Sequence, residues 1–299
     1  MITLRRAADL RACCDDARRA GRTVALVPTM GLFHDGHRSL MRAARADADL
    51  VVVSLFVNPT QFGPDEDLDG YPRDPDGDTA VAAAEGVDVV FLPPVDELYP
   101  DEPRTIVHVA GLTARLCGAS RPTHFDGVAT IVTKLFSIVG PCRAYFGRKD
   151  AQQLAVIRRV VEDLNLPVDV VGCPLVREPD GLARSSRNAY LTPDERAAAT
   201  VLWRALSAAA GAIRTGERDA AILEALVVST IGAEPGVRLD YAELVDAHTI
   251  EPAARVDGDL ILAVAAFIGR TRLIDNLAIT AIGAEVDIDL GVVAEEQTA

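Results

Sequence analysis

The strongest constraint on the fold is a series of apolar strands that alternate with helical patterns. In one predicted strand, 50–56, the run Val51-Val52-Val53 points apolar side chains to both faces, so helices must cover both faces of the sheet. The predicted strands span 23–27, 50–56, 87–91, 105–109, 143–146 and 168–171. The predicted helices span 1–20, 37–46, 78–85, 128–139 and 151–164. This alternation predicts an α/β domain built on a parallel sheet.

The second part of the chain has a different pattern. Thr192-Pro193-Asp194-Glu195 is a strong helix start, with an N-cap threonine, a proline at the first helical position and a glutamate at the third. Two predicted helices follow, 193–215 and 219–231, and then strands near 237–245, 259–268 and 271–279. We therefore predict a domain over 1–176, a smaller α+β domain over 177–285 and a flexible acidic tail over 286–299.

Composition argues against several classes of protein. With 49% hydrophobic and 25% charged residues the chain is expected to fold, and its net charge of −14 disfavours nucleic acid as a partner. The longest apolar run, 260–268, is far shorter than the ~20 residues of a membrane-spanning helix. Since the first 22 residues lack a signal-peptide pattern, we expect a cytoplasmic protein that does not bind membranes. The five cysteines lack metal-ligand spacing and are expected to be buried thiols.

The clearest functional signal is His34-Asp35-Gly36-His37, which follows an apolar strand and a tight turn. Backbone N–H groups at a helix start are unpaired and the helix dipole favours anions, so this turn predicts a phosphate site. Two imidazoles three residues apart can face one ligand, and an imidazolium would stabilise charge as pyrophosphate leaves. The hypothesis is an enzyme that opens a nucleoside triphosphate. The alternative is a pair of surface histidines beside a turn.

Two further segments follow predicted strands in the same way. Asn58 and Gln61 carry neutral amides, which orient a carboxylate without cancelling the charge that attacks; an ordinary polar turn is the alternative. Lys149, with Gln153 one turn further on, can reach a phosphate at a helix start; the alternative is a solvated helix start. Of the 30 basic residues, only Lys134 and Lys149 are lysine, which suggests positions that arginine cannot fill. Lys134 lacks an anion-binding context and is expected on a helix surface, with a reach into the site as the alternative.

Between the two regions lies Arg184-Ser185-Ser186-Arg187-Asn188. Two hydroxyl groups between two guanidinium groups predict a clamp on a polyphosphate, and a polar linker is the alternative. The acidic residues Asp65, Glu66, Asp67 and Asp69 lack the spacing of a metal loop and are expected to be solvated. No metal site formed by the protein is predicted.

Linked motifs run in one order from about residue 20 to about residue 190. They are Pro28-Thr29-Met30-Gly31, His34-Asp35-Gly36-His37, Phe56-Val57-Asn58-Pro59, Gln61-Phe62, Tyr71-Pro72-Arg73, Arg121-Pro122-Thr123-His124-Phe125, Phe146-Gly147, Lys149-Asp150, Gln152-Gln153-Leu154, Asp180-Gly181-Leu182 and Ser185-Ser186-Arg187-Asn188. In these motifs the chain resembles the pantothenate synthetase (pantoate–β-alanine ligase) family. Arg272-Leu273-Ile274-Asp275-Asn276 also resembles the C-terminal strand of that family.

The resemblance implies a Rossmann-like N-terminal domain of the His-x-Gly-His nucleotidyl-transfer superfamily, a smaller C-terminal lid domain and a homodimer. It also implies ATP as co-substrate, together with Mg²⁺. The implied reaction has two steps. The carboxylate of (R)-pantoate attacks the α-phosphorus of ATP to give pantoyl adenylate and pyrophosphate. β-Alanine then attacks the acyl carbon, which gives pantothenate and AMP.

By position, the resemblance implies that His37 is the catalytic proton donor and that His34 interacts with ATP. The other implied catalytic residues are Lys149, Ser185, Ser186 and Arg187. The implied ATP contacts are Met30, Gly31, Leu32, Phe33, His34, Asp35, Gly36, His37, Gly147, Arg148, Lys149, Asp150, Val176, Arg184, Ser185, Ser186 and Arg187. The implied substrate contacts are Gln61 and Gln153 for pantoate, with Gln61 also near β-alanine, and Asn58 and Pro28 beside them.

The sequence departs from the family pattern at four of these segments. Arg148 stands where the family usually has Glu, and Arg184 where it usually has Met or Leu. Phe33 and Thr60 replace the common Leu and Met. The departures imply that Arg148 and Arg184 contact ATP through the backbone rather than through their side chains, and that extra positive charge lies beside the nucleotide.

Two other classes of function stay open at this point. A nucleotidyltransferase with the same His-x-Gly-His turn would stop after adenylyl transfer, and it would not need the pair Gln61 and Gln153 for an acyl substrate. A non-catalytic nucleotide-binding regulator would tolerate the loss of a motif, whereas all of the motifs are present here.

Overall fold

A computed structural model describes residues 1–63, 68 and 70–294. The chain divides into two compact units. The first comprises 1–147 and 156–173, and the second comprises 148–155 and the residues from 174 onward. The acidic residues Asp65, Glu66, Asp67 and Asp69 lie outside the described residues.

The first unit contains a fully parallel sheet in the order β1-β4-β3-β2-β5-β6. Its strands are β1 Ile2–Leu4, β2 Val24–Thr29, β3 Leu50–Leu55, β4 Val89–Phe91, β5 Cys142–Gly147 and β6 Val168–Cys173. The helices that begin in this part of the chain are α1 Ala7–Arg19, α2 Asp35–Asp47, α3 Pro75–Ala84, α4 Val95–Leu98, α5 Cys117–Ser120, α6 His124–Val139 and α7 Ala151–Asp163. Val51, Val52 and Val53 are fully buried, as expected for a strand covered on both faces. The predicted α/β fold with a parallel sheet is confirmed.

The strand order reverses at β2, which has β3 on one side and β5 on the other. In parallel sheets, ligands bind beyond the carboxyl ends of the strands at such a reversal. β2 ends at Thr29, just before the histidine turn, and β5 ends at Gly147, just before Lys149. The topology therefore sets the two predicted phosphate-binding turns after neighbouring strands.

The second unit is α+β, as predicted. Its helices are α8 Pro193–Ala199, α9 Val201–Arg214 and α10 Ala220–Gly232. Strands β8 Val237–Asp246, β9 Gly258–Ile268, β10 Thr271–Ile282 and β11 Glu285–Asp289 form an antiparallel sheet in the order β11-β10-β9-β8. β7 Val176–Arg177 pairs in parallel with β12 Val292–Val293. The core lies between the helices and the sheet, with Leu206, Leu223 and Leu262 fully buried.

Short one-turn 3-10 helices complete the described elements at Pro59–Gln61, Arg148–Asp150 and Ser186–Tyr190. Among the described residues, none of the helices combines the length and the apolar character needed to cross a membrane. Three of the five cysteines are buried, whereas Cys13 and Cys142 are half-buried, so the expectation of buried thiols holds for only part of the set.

Three of the predicted elements are wrong. The helix predicted over 1–20 is β1 followed by α1, because residues 2–4 pair with β4 instead of extending the helix. The strand predicted over 105–109 is not a strand, and the N–H of Val107 donates to Thr130 Oγ1 (3.0 Å) instead of to a strand partner. The helix predicted over 193–215 is divided at Thr200, whose Oγ1 donates to the carbonyl of Ala197 (2.7 Å).

The segment predicted as a flexible acidic tail contains two short strands in its described part. Residues 285–289 form β11 and residues 292–293 form β12, while residues 295–299 lie outside the described residues. The acidic composition indicates a solvated tail, but the backbone of this segment pairs with two other strands. β11 pairs with β10, and β12 pairs with β7 more than a hundred residues earlier.

Candidate active site

His34 and His37 cap the start of α2. Nδ1 of His34 accepts a hydrogen bond from the N–H of Gly36 (3.1 Å), and the N–H of His34 donates to Nδ1 of His37 (3.3 Å). The two ring centroids are 4.1 Å apart. Because Nδ1 of each ring accepts a hydrogen bond within the protein, Nε2 is the ring nitrogen through which His34 and His37 can donate to a ligand. The hydrogen bonds therefore set two Nε2 atoms at a helix start, where the sequence predicts contact with phosphate.

Asp78 of α3 holds the turn that precedes the histidines. Leu32 has a φ of 53°, which is costly for a residue other than glycine, and Gly31 has a φ of 94°. The carboxylate of Asp78 accepts the N–H groups of Leu32 (2.8 Å) and Phe33 (2.7 Å). Burial raises the pKa of this carboxyl group, although the two N–H groups act in the opposite direction. A Cβ on Gly31 would lie 2.7 Å from Oδ2 of Asp78, so the carboxylate fits against this turn only where glycine stands.

Asn58 and Gln61 form a buried amide cluster beyond the end of β3, with exposures of 1% and 7%. Nδ2 of Asn58 donates to Oε1 of Gln61 (3.3 Å) and to the carbonyl of Gly127 (3.0 Å). Nε2 of Gln61 donates to Sδ of Met30 (2.7 Å), and Met30 lies in the turn after β2. These contacts join the predicted phosphate turn to the predicted carboxylate-binding amides.

Tyr99, which directly follows α4, supports the same cluster. Its hydroxyl donates to Oδ1 of Asn58 (2.9 Å), and Nζ of Lys134 lies 4.5 Å from the centre of its ring. His124 Nδ1 lies 2.9 Å from the carbonyl oxygen of Gln61. Lys134, expected from the sequence on a helix surface, therefore packs against a residue that orients the amides.

Gly127 allows α6 to approach these amides backbone to backbone. A Cβ at this position would lie 2.4 Å from the carbonyl oxygen of Thr60 and 2.6 Å from Cα of Gln61. Both of these atoms belong to the main chain and cannot move aside as a flexible side chain does. A side chain at residue 127 would therefore displace the residues on which Asn58 and Gln61 depend.

In the second unit, the Arg148–Asp150 turn is fixed from two directions. Nδ2 of Asn276 donates to the carbonyls of Arg148 (3.0 Å) and Lys149 (2.9 Å). Nη1 of Arg148 donates to the carboxylate of Asp289 (2.8 Å). Lys149 is mostly buried, with Nζ 3.8 Å from the carboxylate of Asp150. The extra charge of Arg148 is thus neutralised within the protein, and Lys149 remains the less tightly paired cation of the turn.

Arg177 fixes β7, the strand that carries the predicted ATP contact Val176. Its two terminal nitrogens donate to the two carboxylate oxygens of Asp275 (2.8 and 2.9 Å), and its guanidinium carbon lies 4.3 Å from the centre of the Trp203 ring. Both charged side chains are 1% exposed. Asp275 belongs to the Arg272–Asn276 motif, so the sequence carried a signal for one partner of this pair.

In the 184–188 segment, the structure gives partners within the protein to Arg184 and Ser185. Nη1 of Arg184 lies 3.6 Å from the carboxylate of Glu178, which also accepts a hydrogen bond from Asn188 (2.9 Å). Oγ of Ser185 accepts the N–H of Arg187 (3.3 Å). One of the two guanidinium groups is therefore set against a carboxylate, while Ser185 shapes the backbone of the turn.

The remaining predicted residues lie in the elements that their sequence positions suggest. Pro28 is in β2, Asp35 and Gly36 are in the first turn of α2, and Gln153 lies on a partly exposed face of α7. Ser186 and Arg187 are half-buried at the start of a 3-10 helix. The structure links Met30, Asn58 and Gln61 within the first unit, and it groups Arg148, Lys149 and Asp150 within the second. The residues that the sequence analysis missed are Asp78, Tyr99, Gly127, Arg177 and Asp289.

Comparisons with known proteins agree with this arrangement. A family model for pantoate-β-alanine ligase matches residues 2–278. A pantothenate synthetase from Caldicellulosiruptor saccharolyticus is 50% identical over 93% of this chain and 99% of its own. The crystal structure of a pantothenate synthetase from Thermus thermophilus matches with a TM-score of 0.87 and 46% identity, over 92% of this chain and 98% of that one.

A further solved structure carries ligands. It is a pantoate-β-alanine ligase from Francisella tularensis, described as complexed with beta-gamma ATP and β-alanine. It matches with a TM-score of 0.75 and 32% identity, over 92% of this chain and 97% of that one. Sequence motifs, fold and relatives agree over almost the whole chain. The chain belongs to the pantoate–β-alanine ligase family.

Proposed function

We propose that this protein condenses (R)-pantoate with β-alanine in an ATP-dependent, AMP-forming reaction that passes through pantoyl adenylate. The observation that carries the proposal is the contact between Gln61 and Met30 (2.7 Å). It ties neutral amides suited to a carboxylate nucleophile to a turn suited to phosphate. A carboxylate that attacks ATP needs both kinds of group within reach of one another.

In the first step, a carboxylate oxygen of pantoate bonds to the α-phosphorus while the bond from that phosphorus to the bridging oxygen breaks. His34 and His37 each offer an N–H from Nε2, and such donors stabilise the negative charge that develops on the leaving pyrophosphate. Since Nδ1 of each ring accepts a hydrogen bond within the protein, both rings meet the leaving group through Nε2, and the family resemblance assigns the role of proton donor to His37. The amides of Asn58 and Gln61 orient the carboxylate and leave its charge intact.

In the second step, the amine of β-alanine attacks the acyl carbon, the bond from this carbon to the phosphate oxygen breaks, and AMP leaves. The amine nitrogen loses a proton as the amide forms. Lys149, Ser185 and Arg187 are assigned to the phosphates, and Gln153 together with Gln61 to pantoate, on the basis of the family resemblance. No covalent bond to the enzyme is needed, and burial raises the pKa of the Cys14 and Cys142 thiols to about 12, which disfavours a thiolate nucleophile.

Mg²⁺ is assigned to the nucleotide. Among the described residues, there is no group of three His, Cys, Asp or Glu side chains arranged to hold a metal ion. Mg²⁺ in nucleotide enzymes is commonly bound by substrate phosphates, water and one or two carboxylates, so these residues fit a metal that arrives with ATP. Bound in this way, Mg²⁺ would neutralise part of the phosphate charge. Asp150, beside Lys149, is the carboxylate of this turn that could contact it.

Two further parts of the proposal are a homodimeric state and a cytoplasmic location. The first is implied by the family resemblance, and the second is the expectation from the sequence of the first 22 residues. Light scattering of the purified protein tests the first. A mass corresponding to a single chain at assay concentrations would remove it.

The reaction itself is tested by incubating the protein with Mg-ATP and pantoate, with and without β-alanine. Release of pyrophosphate should require pantoate, and release of AMP should require β-alanine as well. Pyrophosphate without AMP in the complete mixture would instead indicate a nucleotidyltransferase. Equal AMP formation with unrelated acids or amines would contradict the assignment of the substrates.

A further inference from the structure

Residues 285–294, which we name the C-terminal clasp, lie beyond the region matched by the family model, which ends at residue 278. β11 of the clasp pairs with the end of β10, and its register sets Asp289 opposite Ala278. β12 leaves that sheet and pairs with β7. The clasp therefore connects the main sheet of the second unit to a separate strand.

The clasp contacts the Arg148–Asp150 turn through one carboxylate. Oδ2 of Asp289 accepts a hydrogen bond from Nη1 of Arg148 (2.8 Å), and Oδ1 accepts the N–H of Gly291 (2.8 Å). The bond from Gly291 therefore fixes the carboxylate of Asp289 within its own loop, in a position where it accepts from the guanidinium of Arg148. Through Arg148 this carboxylate positions a turn in which Asn276 also holds the carbonyls of Arg148 and Lys149.

The clasp holds β7 at the same time. The N–H of Val292 donates to the carbonyl of Leu175 (2.7 Å), and the N–H of Ala294 donates to the carbonyl of Arg177 (2.8 Å). Nε of Arg177 donates to the carbonyl of Leu290. Val176, a predicted ATP contact, lies in the strand between these bonds.

We propose that the C-terminal clasp supports the nucleotide-binding residues through Asp289, a positioning residue that acts through Arg148, and through its backbone bonds to β7. The inference depends on the proposed function, in which the 147–150 turn and Val176 contact ATP. Arg148 departs from the glutamate usual at its position, and Asp289 supplies the opposite charge that this arginine requires. The pair keeps the turn in place and prevents Arg148 from competing with Lys149 for phosphate.

Reversing the charge at residue 289 distinguishes a positioning role for Asp289 from a direct electrostatic effect on phosphate binding. D289R places two guanidinium groups together, which displaces the turn but adds positive charge. Positioning predicts a rise of about fivefold in the KM for ATP with a smaller change in kcat, the size expected for the loss of one partly exposed ion pair. Simple attraction of phosphate predicts a fall in KM. The double variant R148E/D289R restores an ion pair of reversed polarity and should return KM to within about twofold of the parent.

D287N is the matched control, because Asp287 lies in the same strand and is exposed. It should leave the KM for ATP unchanged. If D289R does not fold, as judged by its thermal unfolding, D289N replaces it and should raise the KM for ATP in the same direction. An unchanged or lower KM in the folded variant, or no recovery in the double variant, would overturn the inference.

Calorimetric measurement of ATP binding makes the test of the clasp independent of whether the proposed reaction takes place. A parent protein that binds ATP but forms no pantothenate would contradict the proposed function. The order of ATP dissociation constants among the parent, D289R, R148E/D289R and D287N would still decide the role of the clasp.

Discussion

The two units hold their predicted functional residues by different kinds of interaction. In the first unit, the amides of Asn58 and Gln61 and the hydroxyl of Tyr99 are joined by hydrogen bonds between neutral groups. In the second unit, the corresponding residues are fixed by ion pairs, Arg148 with Asp289 and Arg177 with Asp275. Neutral hydrogen-bonding groups leave the charge of an attacking carboxylate intact. In the second unit, the ion pair between Arg148 and Asp289 leaves Lys149 as the cation of the 148–150 turn that is available to phosphate.

The two units should also differ in how much stability each loses when one of two interacting side chains is removed. A neutral hydrogen bond contributes about 1 kcal/mol, whereas breaking a buried ion pair leaves an uncompensated charge. The second unit should therefore lose more stability when one partner is removed. In the first unit, small displacements of the site residues should reduce activity while the free energy of unfolding changes little.

The largest expected effect follows from Arg177→Met, which leaves Asp275 buried without its partner. We expect the free energy of unfolding to fall by about 3–5 kcal/mol, the usual cost of breaking a buried pair from one side. Urea unfolding of the parent and the variant measures it. Arg214→Met, at an exposed arginine near the end of α9, is the control and should change stability by less than about 0.5 kcal/mol. A small loss for Arg177→Met would remove the contrast between the two units.

The elements that could be predicted from the sequence are those with local signals. Val51–Val53 indicates a strand buried on both faces, and the strand before His34 indicates the phosphate turn. Lys149 is conspicuous because 28 of the 30 basic residues are arginine. Each of these signals lies within a few residues of the feature that it predicts, which is why the fold class and the main turns could be predicted.

The elements that were missed depend on partners far away in sequence. Asp78 holds a turn 45 and 46 residues earlier, and Asn58 reaches the carbonyl of Gly127 across 69 residues. β1 and β12 are three and two residues long and exist only through pairing with β4 and β7. Neither periodicity nor propensity encodes such pairings, because the same short segments would be loops without their partners.

The next effect concerns catalysis in both units. His37→Ala and Lys149→Ala should each lower kcat by about 10²–10³-fold, because each removes a donor aimed at developing phosphate charge. Thermal unfolding should be nearly unchanged in both. His248→Ala, at an exposed histidine in the second unit, is the control and should retain full activity. Near-normal turnover in either variant would contradict the role given to that residue.

Lysine at residue 149 can be tested against arginine at the same position. Lys149→Arg keeps the charge but replaces a compact ammonium with a planar guanidinium in a mostly buried position. We expect a loss of kcat by more than about tenfold, smaller than for Lys149→Ala. Full activity of Lys149→Arg would mean that the scarcity of lysine in this chain carries no functional information.

A smaller effect tests the hydrogen bonds of the amide cluster. Gly127→Ala introduces a Cβ against the backbone of Thr60 and Gln61, so α6 must shift and the bond from Asn58 to residue 127 must lengthen. The free energy of unfolding should fall by about 1–3 kcal/mol and the KM for pantoate should rise, with the KM for ATP less affected. Gly211→Ala in α9, where a Cβ meets open space, is the control and should be neutral or stabilising. An equal rise in the KM for pantoate and the KM for ATP would mean that the effect of Gly127→Ala is not specific to the amide cluster.

The smallest effect contrasts one carboxylate from each unit. Burial raises the pKa of Asp78 above its ordinary value of 3.8, whereas hydrogen bonds from Arg196 lower the pKa of Asp180 below it. A raised carboxyl pKa gives a contribution to stability that falls as the pH rises through the folded value. A lowered one gives a contribution that is present above 3.8 and is lost as the pH falls through the folded value.

The stability difference between the parent and Asp180→Asn should therefore shrink on acidification below pH 3.8, and its size should stay below about 1 kcal/mol because the side chain is half exposed. The difference between the parent and Asp78→Asn should change in the opposite direction, growing in favour of the parent as Asp78 takes up a proton. Urea unfolding between about pH 3 and pH 7 measures both slopes. Asp257→Asn, at an exposed aspartate, is the control. If the stability differences for Asp78→Asn and Asp180→Asn changed with pH in the same direction, burial and ion pairing would not distinguish the two units.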